Sequence, residues 1–183
     1  MLAIHNLHIA FGETDLLSVE HWEIHPGQKI ALVGHNGCGK SSLLKVLVGE
    51  ALPRDGRVSQ RKDFQLGYLP QKAVSGSIRP VWDEVKSGMT RLLKLEEHLK
   101  ACEEDVDSEQ GQIALIEAMD AYRHAGGYQQ EERIGSTLHG LGFAREDWHK
   151  TCDTFSGGWQ MRIALAKLLL SDPDLAVLDQ PTN

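Results

Sequence analysis

The chain has 183 residues, 41% of them apolar and 25% charged, which is ordinary globular composition with enough length to bury a real core. Residues 1–80 hold nine Lys/Arg against seven Asp/Glu and residues 81–183 hold ten against nineteen, so no basic surplus announces nucleic acid. No run approaches the ~20 apolar residues that cross a bilayer, the start lacks the apolar block of a signal peptide, and Cys38, Cys102 and Cys152 form no CxxC pair, so a cytoplasmic protein with reduced thiols and no membrane insertion is expected.

In chain order, residues 3–10 alternate roughly and read as a strand. A polar turn at residues 12–15 leads to extended segments at 16–20 and 22–24, and His25, Pro26 and Gly27 make the next turn by residue type. Residues 29–33 are a short apolar run compatible with a buried strand, ending at Gly34. Residues 41–49 carry Leu43, Leu44, Val46, Leu47 and Val48, dense enough for a buried helix closed by Gly49. Residues 53–56 read as a turn and 64–69 as a strand. From Asp83, the apolar positions Val85, Met89, Leu92, Leu95, Leu99 and Cys102 form one helical stripe. Residues 105–111 break it, and a second stripe at Ile113, Ile116, Met119 and Tyr122 completes a hairpin ended by Gly126 and Gly127. Helices follow at 128–141 and 160–170, then an apolar strand at 175–178 ending at Asp179. This order predicts an α/β fold with a mostly parallel sheet and an inserted helical block.

The run Gly34-His35-Asn36-Gly37-Cys38-Gly39-Lys40-Ser41, continued by Ser42, matches G-x-x-x-x-G-K-[ST] at every fixed position. The glycines let backbone N–H groups turn inward around phosphate oxygens, and the helix that follows adds its positive end. Lys40 is placed to reach the terminal phosphates of ATP, and the Ser41 hydroxyl to sit on Mg²⁺. His35 and Cys38 occupy free positions of the pattern and read as fillers of the cradle.

Three further runs make the resemblance specific. Phe155-Ser156-Gly157-Gly158-Trp159-Gln160-Met161-Arg162 resembles the signature motif of ABC ATPases, Pro70-Gln71 resembles their Q-loop, and residues 175–183 resemble Walker B with its proline-threonine turn. The motifs stand in the family's order. Phe11, followed by Gly12 and by Leu16 and Leu17, resembles the aromatic that stacks on adenine. Within the class, the chain resembles the first cassette of the ABC-F family, soluble translation factors with two cassettes. Gln71 to Ser156 spans 85 positions, with the surplus in the hairpin where ABC-F proteins insert an arm. The Trp-containing signature and the run at residues 138–143 resemble ABC-F sequences as well. An ATPase subunit of a transporter is the alternative reading.

The resemblance implies a P-loop NTPase of the ABC type with a mixed-sheet core, an inserted helical subdomain and a short helical arm. It divides the chain into a nucleotide-binding core at 1–80, the arm at 81–127, and at 128–183 a helical subdomain with the signature, followed by the Walker B strand. It implies that Asp179, Ser41 and Gln71 hold Mg²⁺, and that Gln71 also serves catalysis. Ser156, Gly157 and Gly158 would grip the ATP of an opposite cassette, so a second ABC unit is required. Ribosome and tRNA are the partners the family suggests. Residues 84–125 hold ten acidic residues against five basic ones, which suits contact with protein better than with RNA phosphates. The sequence departs from the family at Gln180, where the catalytic Glu is expected. An amide cannot accept a proton from the attacking water, so ATP is expected to bind and be cleaved slowly. The sequence also stops before the expected D-loop aspartate and switch histidine, as a truncated unit would.

Overall fold

The computed structural model describes residues 1–71, 77–104 and 106–180. The chain divides into two compact units, one of residues 1–71 and 173–183 and the other of residues 72–172.

In the first unit, β1 (Leu2–Phe11) is the middle strand of an antiparallel sheet, with β2 (Thr14–Ile24) on one side and β3 (Asp55–Gln60) on the other. The rough alternation of β1 has a structural cause. Asn6 adopts φ 46°, and the β1–β3 ladder slips by one residue between His5 and His8. Such a bulge changes which parity faces the core. Leu2 and Ile4 before it and Leu7 and Ile9 after it are therefore all buried in one cluster. Gly56 of β3 approaches so closely that an added Cβ would collide with the Asn6 backbone. The turn expected at 53–56 thus runs directly into a strand that the residue types do not announce.

Helix α1 (Lys40–Leu47) begins at Gly39 and lays Leu43, Val46 and Leu47 on that cluster. Gly49, with φ 79°, ends it by turning its chain back onto the carbonyls of Val46 and Lys45. A second, parallel pair joins β4 (Leu66–Leu69) to β5 (Leu175–Leu178) in register. Asp174 secures the approach to both strands by accepting from the Gln65 backbone at 2.9 Å and pairing with Arg61.

Two expectations need correction. The described strands do not form one mostly parallel sheet: β2-β1-β3 is wholly antiparallel, and only the separate β4–β5 pair is parallel. Residues 29–33 form no strand, and Val33 is 93% exposed. Among the described residues this run has no neighbouring strand to complete a hydrogen-bond ladder, and without one an apolar run gains nothing from being extended.

The second unit is helical. α2 (Val81–Lys86), α3 (Thr90–Glu103), α4 (Glu109–His124), α5 (Gln130–Gly140) and α6 (Gly157–Leu170) surround a core of Val81, Val85, Ile134, Leu138, Phe143 and Ile163. The single stripe from Val85 to Cys102 is two helices, broken at residues 87–89. A Cβ at Gly88 would stand 2.5 Å from the Lys167 carbonyl of α6, so the chain turns where α2 meets α6 most closely. Lys167 also pairs with Glu84 at 2.7 Å, and Ser77 donates to the other oxygen of that carboxylate.

α3 and α4 pack side by side, but not through the stripe expected on α4. Ile113 and Ile116 are 53% and 61% exposed, whereas Gly111 and Ala118 are buried. Small residues let the two backbones approach, and close contact along the helices outweighs burying isoleucines at a distance.

Candidate functional site

The loop between residues 34 and 39 requires backbone angles that only glycine adopts cheaply. Gly37 has φ 83° and Gly39 has φ 92°, both in the left-handed region. Gly39 hands the chain into α1, whose first turn holds Ser41 and Ser42 and no acidic residue, so its positive end is uncompensated. Lys40 folds back over the loop. Its Nζ donates to the carbonyls of Gly34 at 2.7 Å and His35 at 2.9 Å, with Cys38 Sγ at 3.8 Å. The cation thereby closes the loop from which an anion would be held.

The parallel register of the second strand pair supplies the rest. Leu69 stands opposite Leu178, and the Asp179 N–H donates to the Leu69 carbonyl at 2.9 Å, so both strands end at one level. Two residues beyond each of those leucines stand Gln71 and Gln180. Their side chains meet, with Gln71 Nε2 donating to Gln180 Oε1 at 2.7 Å. Gln180 has φ 50°, a strained angle for a residue with a side chain.

These residues line a cleft of about 420 Å³ formed by Leu16, Asn36, Gly37, Gly39, Lys40, Ser41, Ser42, Gln71 and Gln180. Its size falls within the range of small-molecule sites. Half of the residues expected from the motifs are thus brought together, and Asp179 is not in the lining. Gly34, His35 and Cys38 belong to the loop but not to the cleft lining. Leu16, which the sequence offered only as context for Phe11, is also in the lining. Its Cβ lies 3.4 Å from where a Cβ of Gly39 would stand, a contact that links β2 to the loop across the chain.

Asp179 is buried at 5% exposure, and among the described residues no hydrogen bond or ion pair neutralises its carboxylate. Beneath it, burial raises the Tyr68 hydroxyl above its usual pKa, followed by the negative charges of Asp179 and Glu50. That hydroxyl has no partner among the described residues. No cluster of three or more His, Cys, Asp or Glu among the described residues could hold a metal alone. One uncompensated carboxylate with a nearby hydroxyl and amide fits Mg²⁺ brought by a nucleotide, since that ion is ordinarily held by one or two carboxylates and phosphate oxygens. The side chain of Phe11 and residues 181–183, the proline-threonine turn included, lie outside the described residues.

In the helical unit, Ser156 caps α6 without a side-chain hydrogen bond, and its first turn contains no acidic residue. An added Cβ at Gly157 or Gly158 would meet nothing within 4 Å. Neighbouring Trp159 turns away into the core, 4.8 Å from Phe143, with Arg162 stacked on it at 4.6 Å.

A family model described as ABC transporter matches residues 17–183. Over 188 residues the chain is 36% identical to the probable ATP-binding protein YheS of Haemophilus influenzae, covering 100% of this chain and 28% of that protein. It is 34% identical over 189 residues to ABC transporter F family member 5 of Arabidopsis thaliana, covering 98% of this chain and 27% of that one. The chain therefore spans less than a third of either relative. Among solved structures, the dimeric structure of a bacterial ABC transporter cassette is similar in fold, with a TM-score of 0.66 and 19% identity over 100% of this chain and 75% of that chain. No described helix is long and apolar enough to cross a membrane.

Proposed function

The chain belongs to the ABC transporter family of ATP-hydrolysing cassettes, and from that premise we propose that its cleft binds Mg-ATP as one half of a composite site. The observation that carries this reading is the convergence of Lys40, Ser41, Ser42, Gln71 and Gln180 on one polar cleft. The turned backbone of residues 34–39 and the positive end of α1 cradle phosphates, and Lys40 exchanges its loop carbonyls for the terminal phosphates. Ser41, Gln71 and Asp179 would hold Mg²⁺, which when bound neutralises charge on the phosphates. Gln180 stands where a carboxylate would take the proton of the attacking water. With an amide there, nucleotide is held longer than it is cleaved.

The other half of the site is the start of α6. Glycine costs a helix about 1 kcal/mol relative to alanine. Among the described residues nothing demands it at positions 157 and 158, where a side chain would meet open space. A close approach from outside the chain would demand it. Together with an N-terminus bearing no acidic residue and no side-chain cap, this supports assigning Ser156, Gly157 and Gly158 to the nucleotide of a second cassette.

The resemblance to ABC-F proteins extends the reading to a cytoplasmic two-cassette protein whose ATP-bound form engages the ribosome and tRNA. Binding is tested by titrating a fluorescent ATP analogue with Mg²⁺. Lys40→Ala should weaken it at least tenfold, and an unchanged affinity overturns the site. Co-sedimentation with ribosomes in ATP tests the translation role, which fails if the protein instead copurifies with a polytopic membrane protein.

A further inference from the structure

The hydrogen bond between Gln71 and Gln180 has a directional consequence. A primary amide has one donating end and one accepting end, and rotation about its last torsion is broad and roughly two-fold. An unrestrained Gln71 would therefore present its NH₂ to the cleft about as readily as its carbonyl, and an NH₂ repels a cation. Here the NH₂ is committed, donating to Gln180 Oε1 at 2.7 Å. The end left to act on the cleft is the carbonyl oxygen. The strand register enforces the encounter, because both side chains leave parallel neighbours that end at the same level. The left-handed backbone of Gln180 sustains it, and such an angle persists only where surrounding contacts hold it.

We infer that Gln180 is a positioning residue, which holds the Gln71 amide with its carbonyl oxygen turned toward the cation of bound Mg-ATP. The inference rests on the proposed function above and adds a division of labour at position 180. Proton acceptance needs a carboxylate, but orienting Gln71 needs only an acceptor oxygen; glutamine offers one beside its own donating end, and a carboxylate offers nothing else. A chain with Gln180 thus keeps Mg²⁺-dependent binding although it is impaired in cleavage.

The test is the Mg²⁺ dependence of nucleotide affinity, measured on the purified protein with a fluorescent ATP analogue across a Mg²⁺ series and in EDTA. Gln180→Leu, which keeps the size but loses the acceptor, should raise the Mg²⁺ concentration for half-maximal binding about three- to tenfold, a larger factor than any change it makes to affinity in EDTA. Gln180→Glu, which keeps an acceptor, should need no more Mg²⁺ than the parent. Gln71→Ala should reproduce the Leu effect, and Gln71→Ala with Gln180→Leu should be no worse than Gln71→Ala alone. An unchanged Mg²⁺ requirement in Gln180→Leu, or additive effects in the double variant, overturns the inference while Mg-ATP binding stands. If the parent protein shows no Mg²⁺-dependent nucleotide binding, the proposed function fails and the inference with it. Gln180→Ala provides the same readout if the leucine variant does not fold, as judged by its circular dichroism.

Discussion

On the proposed reading, position 180 separates binding from chemistry at the scale of one side chain. Gln180→Glu should raise steady-state phosphate release from ATP at least about tenfold, because the carboxylate can take the proton of the attacking water. An unchanged rate removes Gln180 from the catalytic position. The cysteines offer an independent check of local environment. Cys152 is fully buried, and burial foremost, then the charges of Glu84 and Asp153, pushes its thiol to about 11. Cys38 and Cys102 are partly exposed. In alkylation followed by mass spectrometry at pH 8, Cys38 and Cys102 should be labelled and Cys152 spared until the protein is denatured, since the thiolate is the reactive form. The fixed positions from Gly34 to Ser41 are the residue types that a phosphate-binding turn requires, and Gly37 and Gly39 take the left-handed angles such a turn needs. The place of Leu16 in the cleft was not legible, since it depends on β2 passing beside Gly39.

Among elements, the bounds of α1, α5 and α6 followed residue type closely, whereas the stripe from Val85 to Cys102 proved to be two helices and the packing face of α4 was misjudged. Ser108 caps α4 by accepting from the Gly111 N–H at 2.9 Å. Ser108→Ala should lower stability by about 1 kcal/mol in chemical denaturation. Gly88→Ala should cost more, about 1–3 kcal/mol, because its Cβ would press on the α6 backbone rather than on a yielding side chain. Gly157→Ala and Gly158→Ala should behave in the opposite way. They should leave thermal stability unchanged or slightly raised, yet abolish ATP-dependent association with a second cassette, measured by light scattering. A loss of stability in those two variants would mean the glycines serve this chain's own packing. The α4 stripe at Ile113, Ile116 and Met119 reads as a buried face only if size measures burial. The observed face runs through Gly111 and Ala118, where smallness permits contact, a preference that hydrophobic periodicity does not register.

For the molecule as a whole, acid should be the condition that unfolds it. Burial pushes the Glu84 carboxyl up, but Lys167 and Ser77 together outweigh that and hold it below its usual value. Lys100 holds Glu96 down, and the Gln65 N–H with Arg61 holds Asp174 down. Carboxyls depressed in the folded state bind fewer protons there than in the unfolded chain. Their contribution is complete above the ordinary carboxylate range and is lost as pH falls through and below it. Thermal midpoints should therefore stay level from about pH 8 to pH 5.5 and fall below about pH 4.5. A flat profile down to pH 3 would remove these pairs as contributors.

The sequence by itself determined the glycine-rich loop at residues 34–41, the glycine pair at 157 and 158, the order of the motifs and the amide at Gln180. Those features are read from residue type and near-neighbour spacing alone. Only the tertiary structure decided that β1 keeps both halves of its apolar set inward through a bulge at Asn6, that residues 29–33 remain outside any strand, and that α4 packs by its small residues. It also decided that Gln71 meets Gln180 across 109 positions of sequence. Each of these depends on a ladder partner, a helix approach or a strand register. None is a property of a segment considered alone.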